Sequence, residues 1–236
     1  MGLNSVLTRR LVNYSDPTSF ASRLRAKRVG PLRDLIDQAY EKHGHVRIVD
    51  VGGTATIWRM VGLEYLRERK AKITLLNLGY NERSRAGAQD PLFELGIADG
   101  CNMPEVATAQ FHIAHSNSVL EHVGSWSDMQ NFAREFARVS DAYFLQTPNY
   151  WFPIEPHALT PFLHWLPKPW RVSLVMRFAL GHWPRCASVS DAVACVESAR
   201  LLDRKMFASL FPGARVVTER LFGLPKSLLA IRPLRE

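Results

Sequence analysis

Hydrophobic residues along the chain follow two alternating patterns, one typical of strands and one typical of helices. Short apolar runs predict strands at residues 47–51, 73–78, 93–98, 111–115 and 142–146. Apolar residues at helical spacing predict helices at 31–43, with Pro31 in the first turn, at 56–69, and after a capping-box pattern at Ser127–Gln130. Strands that alternate with helices are typical of a parallel sheet covered on both faces. The pattern therefore predicts an α/β fold with a Rossmann-like, doubly wound, mostly parallel sheet.

The alternation of predicted strands and helices stops after Pro148. Residues 150–213 hold many of the prolines and tryptophans and only interrupted helical segments, so we interpret them as a helical cap over a substrate. Residues 215–221 and 227–231 predict an antiparallel closing pair, which brings the sheet to about seven strands. The start of the chain, residues 1–45, reads as a helical lead whose first thirty residues pack loosely. We predict a single domain over 1–236, with the cap inserted before the last two strands.

A glycine turn follows the first predicted strand. Asp50 precedes Gly52, Gly53 and Thr54, and the turn leads directly into a helix. Glycine lets the backbone approach a ligand closely. A dinucleotide site would have the spacing G-x-G-x-x-G, which is missing here, and the acid before the glycines suits a cationic ligand better than a diphosphate. Taken alone, the motif is also compatible with an ordinary turn.

Polar side chains also end the next three predicted strands. They are Asn77 on the second strand, Asp99 and Gly100 on the third, and Ser116 and Asn117 on the fourth. Ligands of open α/β sheets bind outside the carboxyl ends of the strands, near the point where the strand order reverses. The polar strand ends therefore predict one shared site with the glycine turn.

With these motifs, residues 46–149 resemble the class I S-adenosylmethionine-dependent methyltransferases, in particular their small-molecule branch. The resemblance implies that S-adenosylmethionine is the cofactor and that methyl transfer to an oxygen, nitrogen or carbon of a small molecule or biosynthetic intermediate is the reaction. It assigns the methionine part of the cofactor to Asp50, Gly52, Gly53 and Thr54, the ribose to Asn77, the adenine to Asp99 and Gly100, and places Ser116 and Asn117 beside the cofactor.

The chain departs from the family at two positions. Asn77 stands where an acid usually binds the ribose, with Glu82 as a candidate replacement, and His112 stands where an acid is common. Asn77 keeps a second hypothesis open, a cofactor-binding but catalytically weak domain that acts as a partner or regulatory module. A nicotinamide-dependent oxidoreductase is disfavoured because the dinucleotide fingerprint is missing.

Three residues are candidates for catalysis. His157 and Glu155 lie just past the fifth predicted strand, and His122 follows the fourth. Either histidine could act as a general base, and a packed or capping imidazole is the structural alternative for each. Three interpretations remain open for the cap aromatics: an apolar substrate pocket, the core of the cap, or an interfacial surface for a lipid-linked or glycan-linked substrate.

The composition says more about the cellular location of the protein than about the reaction it catalyses. The 236 residues contain neither an apolar run long enough to span a bilayer nor a signal-peptide pattern, and Cys101, Cys186 and Cys195 have no metal-ligand spacing. We therefore predict a cytoplasmic protein with reduced thiols and no metal site. The net charge of +8 suits nucleic acid, an anionic membrane surface, an acidic substrate or plain solvation, and no RNA-binding module is recognised. The basic residues concerned are Arg9, Arg10, Arg23, Arg25, Lys27, Arg28, Arg33, Lys168, Arg171, Arg177 and Arg185.

Overall fold

The computed structural model describes residues 20–79 and 88–234, with side chains from Val29 onward. The strands are β1 (Val46–Val51), β2 (Ala71–Asn77), β3 (Phe93–Ile97), β4 (Phe111–Asn117), β5 (Ser140–Pro148), β6 (Ile154–Glu155), β7 (Thr160–Pro161), β8 (Arg215–Leu221) and β9 (Leu224–Arg232). The α-helices are α1 (Phe20–His43), α2 (Ala55–Val61), α3 (Leu63–Glu68), α4 (Trp126–Arg138), α5 (Lys168–Arg177), α6 (Val189–Glu197) and α7 (Arg204–Leu210). Short 3₁₀ turns lie at Leu120–His122 and Leu163–Trp165.

Seven strands form one sheet in the order β3-β2-β1-β4-β5-β9-β8. Strands β1 to β5 are parallel, and β9 runs antiparallel between β5 and β8. The order reverses beside β1, which pairs with β2 on one side and with β4 on the other. This architecture confirms the predicted Rossmann-like, mostly parallel sheet, and it brings the carboxyl ends of β1, β2 and β4 together at the switch point.

Helices cover both faces of the sheet. One buried cluster joins α1, α2 and α3 to the sheet through residues such as Ile36, Trp58 and Leu66. The other joins α4 and α7 to the opposite face through residues such as Phe132 and Phe207. A separate, smaller cluster around Val175, Cys186, Ala192 and Val196 forms the core of the cap. Helix α7, which lies within the predicted cap at 150–213, packs against the sheet rather than in this small core.

Three helix boundaries differ from the predictions. Helix α1 begins at Phe20, so Pro31 lies inside it rather than in its first turn, and residues 20–30 are helical. The predicted 56–69 helix breaks at Gly62, whose φ of 106° no continuous helix can contain. Helix α4 is capped by Ser125 and Asp128, which form the reciprocal hydrogen bonds predicted for Ser127 and Gln130.

Some of the basic residues named above make local contacts. Arg33 donates to the Val61 carbonyl, and Lys168 pairs with Glu197. Arg9 and Arg10 lie outside the described residues, as do the side chains of the other basic residues before Val29. No helix in the described part of the chain is long and apolar enough to cross a membrane.

His112 on β4 makes the fold sensitive to acid. Burial, followed by the charges of His43, Arg47 and His45, lowers the pKa of His112 from 6.5 to about 4, and Asp141 opposes this only in part. The ring accepts a hydrogen bond from the Arg47 amide at Nδ1, 3.2 Å away, and stacks on His43 with centroids 4.1 Å apart. Protonation would remove that acceptor.

We expect acidification to destabilise the protein through His112. Its stabilising effect is complete above the unfolded-state pKa and is lost as the pH falls from 6.5 towards 4, because only the unfolded chain binds the proton in that range. Between pH 7 and pH 5 the free energy of unfolding should fall by about 2 kcal/mol from this residue. Urea unfolding at both pH values measures the fall. The variant His112→Asn, which keeps an acceptor for the Arg47 amide, should lose most of that difference, and an unchanged difference would contradict the assignment.

Candidate functional site

The loop after β1 is shaped by two glycines. Gly52 has φ of 73° and donates its N–H to the Leu76 carbonyl at 2.7 Å, and a Cβ on it would lie 2.5 Å from Val119. A Cβ on Gly53 would lie 1.8 Å from the Asp50 carboxylate. Neither position therefore accepts a side chain unless the loop moves, and the two glycines leave the backbone bare at the carboxyl edge of the sheet.

Asp50 lies directly beneath this loop. Its carboxyl group is fully buried, and its two oxygens accept hydrogen bonds from Trp58 Nε1 at 2.8 Å and from His115 Nδ1 at 2.7 Å. Trp58 lies on α2 and His115 on β4, so one carboxyl group ties the loop to a helix and to the neighbouring strand. The structure therefore places Asp50 beneath the glycine loop, with partners on both of its oxygens.

Two other predicted residues also hold the loop. The Asn77 amide nitrogen donates to the Gly53 carbonyl at 3.1 Å, and the buried Ser116 hydroxyl donates to the Val51 carbonyl at 2.9 Å. A Cβ on Gly100 would meet Val51 at 2.9 Å, so the loop after β3 also approaches β1 closely. The structure therefore brings the ends of β1, β2 and β4 and the β3 loop into one connected set of contacts.

The remaining predicted cofactor residues lie around the same edge. Thr54 directly precedes α2 and Asn117 ends β4, both half-buried. Asp99 is exposed and accepts the Cys101 N–H at 2.9 Å. Beside them, Leu78 is 78% exposed and Ile97 is 70% exposed, which is unusual for large apolar side chains next to strand ends. Glu82 lies outside the described residues.

The three predicted catalytic residues also meet. Nδ1 of His157 lies 2.7 Å from a Glu155 oxygen, and Nε2 of His157 lies 3.2 Å from Nε2 of His122. Nδ1 of His122 lies 2.7 Å from the Ser198 carbonyl oxygen. Residues that follow β4 and β5 thus form one hydrogen-bonded row that ends in the cap.

Glu121 completes this group, although sequence reasoning gave it no role. It is buried, its Oε2 accepts the Thr147 hydroxyl at 2.9 Å, and its Oε1 has no hydrogen-bond partner among the described residues. Burial raises the pKa of Glu121. Its own backbone amide, the two nearby imidazoles and the Thr147 hydroxyl each lower the pKa, but their effect is smaller. Burial alone would lower the pKa of His157, but the hydrogen bond and charge of Glu155 and the charge of Glu121 outweigh it, so the net pKa is raised.

A cleft of about 810 Å³ lies between the cap and the loop that precedes α4. Glu155 contributes to both the cleft and the histidine row. Two buried polar atoms of cleft residues, Nδ1 of His164 and Nε of Arg171, have no hydrogen-bond partner in the part of the chain that the structure describes. Both atoms are buried behind the cleft wall. Its wall is formed by residues including Gly124, Tyr150, Leu163, Trp165, Trp183 and Arg200.

The aromatic residues of the cap do not form its core. Tyr150, Trp165 and Trp183 line the cleft, in line with the interpretation as a substrate pocket. The large side chains that remain exposed include Trp151, Phe162, Trp165, Trp170 and Phe178. The interpretation of these aromatics as the cap's hydrophobic core is therefore wrong for most of them, since smaller side chains fill that core.

Comparison with known proteins gives matches in structure alone. Neither the protein-family models nor the curated proteins give a match to the sequence. The DszA carbon methyltransferase has 12% identity and a TM-score of 0.55, and the match covers 90% of this chain and 55% of that one. The CurJ carbon methyltransferase has 13% identity and a TM-score of 0.54, with coverage of 96% and 61%. This chain therefore spans less than two thirds of either methyltransferase.

A third similar structure has a different assignment. It is a protein from Rhodobacter sphaeroides assigned as a Zn-dependent alcohol dehydrogenase, with 10% identity, a TM-score of 0.52 and coverage of 81% of this chain and 84% of that one. Dinucleotide-binding sheets have the order 3-2-1-4-5-6, whereas antiparallel β9 here lies between β5 and β8. The chain has the Rossmann-like methyltransferase fold, and at the level of the fold its resemblance to class I methyltransferases is confirmed.

Proposed function

We propose that this protein transfers a methyl group from S-adenosylmethionine to a small-molecule acceptor. The observation that carries the proposal is the glycine loop at the switch point of the sheet, bound to Asn77 and resting on Asp50. Bare backbone at that edge, with a helix starting directly behind it, is the position where open α/β sheets bind ligands. The fold shared with two carbon methyltransferases is in line with this choice.

The described residues offer suitable groups to each part of the cofactor. The loop at Gly52–Thr54 offers backbone groups to the methionine part. Because the Asn77 amide nitrogen is used by Gly53, its acceptor oxygen is the atom that would meet a ribose hydroxyl. The exposed side chains of Leu78 and Ile97 offer an apolar surface for the adenine ring, with Asp99 available to its amino group. The bound cofactor would supply an electrophilic methyl group on a sulfonium.

The acceptor would occupy the cleft beneath the cap. Its nucleophilic atom would then lie near Glu155, which the cleft shares with the row that contains His157 and His122, and the cleft walls would fix its orientation. A lipid-linked or glycan-linked acceptor and peripheral membrane contact stay predictions.

Calorimetry with S-adenosylhomocysteine tests the proposal. We expect one saturable site in the range of about 1 µM to 1 mM. Asn77→Ala should weaken binding about tenfold, because it removes both the support of Gly53 and the ribose acceptor. Asn131→Ala is the matched control, since its amide oxygen accepts from Arg134, an exposed arginine on α4. A protein that folds but shows no binding would end the proposal.

A further inference from the structure

The ring protons of His122 and His157 are fixed by their outer neighbours. Nδ1 of His122 faces the Ser198 carbonyl, which can only accept, so that nitrogen carries a proton. Nδ1 of His157 faces the Glu155 carboxylate, which also accepts the Ala158 N–H. When both rings are neutral, each presents the lone pair of Nε2 to the other ring, at 3.2 Å. Two lone pairs at that distance repel unless a proton or a metal cation lies between them.

The third member of the cluster is the buried carboxylate of Glu121. A carboxylate oxygen of Glu121 and one ring nitrogen each of His122 and His157 lie within 4.8 Å of one another. Because Oε2 accepts the Thr147 hydroxyl, Oε1 is the oxygen left without a partner among the described residues. A buried carboxylate oxygen without a hydrogen-bond partner is unfavourable, so the charged form of Glu121 calls for a positively charged neighbour.

We propose that Glu121, His122 and His157 bind a divalent transition-metal cation, of which Zn²⁺ is the model, through one carboxylate oxygen and two imidazole nitrogens. Two nitrogens that bind zinc tetrahedrally at 2.0–2.1 Å lie about 3.3 Å apart, and the observed separation is 3.2 Å. Two histidines and one carboxylate also make up a common ligand set of catalytic zinc sites, in which the fourth position stays open.

The groups behind the ligands support this assignment. Metal-binding histidines usually donate their other ring N–H to a carboxylate or a backbone carbonyl, which fixes the ring orientation. His157 does so to Glu155, and His122 does so to the Ser198 carbonyl. The Thr147 hydroxyl in turn orients Glu121. All three proposed ligands are thus held in place by a second polar group.

The sequence gives no motif for this site, because its ligands are far apart along the chain. Glu121 and His122 follow β4, while His157 lies between β6 and β7, which form a small hairpin in the cap. Since Glu155 also lines the cleft, the cation would lie at the edge of the cleft. If the proposed function holds, it would bind the acceptor's nucleophilic group there and lower that group's pKa.

Metal binding can be measured without cofactor or acceptor. We titrate the full chain, stripped with a chelator, with Co²⁺ followed by visible absorption and with Zn²⁺ followed by calorimetry. One equivalent should bind, with the ligand-field bands of a four- or five-coordinate site. His122→Ala and His157→Ala should each weaken binding by at least about 100-fold, and Glu121→Gln by about tenfold or more. His45→Gln, an exposed histidine outside the cluster, should bind like wild type.

Three outcomes would overturn the inference: no saturable site, a site that survives in His157→Ala, or a thiolate charge-transfer band that assigns the metal to a cysteine. Near-ultraviolet circular dichroism shows whether each variant is folded. Because S-adenosylhomocysteine binding is measured separately, the two proposals fail independently. A protein that binds the cofactor but no metal would refute only the metal site, and one that binds metal but no cofactor would refute only the methyltransferase assignment.

Discussion

Replacing Gly53 with alanine is expected to weaken S-adenosylhomocysteine binding by at least about 100-fold. The new Cβ would lie 1.8 Å from one oxygen of Asp50 and 2.3 Å from the other. The carboxyl group cannot withdraw, because Trp58 and His115 hold its two oxygens. The loop must therefore move away from Asp50, and the Gly53 carbonyl then loses its hydrogen bond from Asn77.

Gly30→Ala is the matched control for this prediction. A Cβ on Gly30 would meet nothing within 4 Å, and the position lies inside helix α1. This variant should bind S-adenosylhomocysteine like wild type and gain about 0.5–1 kcal/mol of stability from the better helix former. Calorimetry measures the affinities, and thermal unfolding shows whether Gly53→Ala is still folded. Wild-type affinity in folded Gly53→Ala would mean that the loop does not hold the cofactor.

The positions of the strand ends could be predicted from the sequence because they follow from local patterns. Apolar runs mark the strands, and parallel topology then brings the ends of β1, β2 and β4 to one edge without any knowledge of side-chain contacts. For this reason Gly52, Gly53 and Asn77 lie where the pattern indicated. The boundaries of α1 and α4 were missed since Pro31 and Ser127 offered start signals that the surrounding chain overrides.

The contacts between side chains could not be predicted in the same way. Asp50 meets His115 from 65 positions away, and His122 meets His157 from 35 positions away. Only the register of β1 with β4, and the position of the β6–β7 hairpin over the sheet edge, decide these pairs. The sequence shows Gly53 close to Asp50, and Glu121 next to His122 after β4. It does not show which residues from other parts of the chain contact them.

Replacing Asp50 with alanine is expected to lower the free energy of unfolding by about 3–5 kcal/mol. The change leaves the Trp58 indole N–H buried without an acceptor and removes the carboxyl partner of His115. Asp50→Asn should cost less, about 1–2 kcal/mol, since its amide oxygen can still accept from Trp58. Asp34→Ala, an exposed acid on α1, should stay within about 0.5 kcal/mol of wild type. Urea unfolding measures all three, and a loss under 1 kcal/mol in Asp50→Ala would show that the buried hydrogen bonds add little.

Substitution of Asp50 also distinguishes two roles of its carboxyl group, direct contact with the sulfonium and support of the glycine loop. If the charge of Asp50 held the sulfonium, Asp50→Asn would weaken S-adenosylmethionine much more than the uncharged thioether S-adenosylhomocysteine. Since the carboxyl group is fully buried and both its oxygens are occupied, we expect the two ligands to lose the same factor. Calorimetry with both ligands on wild type and Asp50→Asn gives the two ratios. Equal ratios would assign Asp50 to supporting the loop, and a selective loss of S-adenosylmethionine would return it to direct contact with the cofactor.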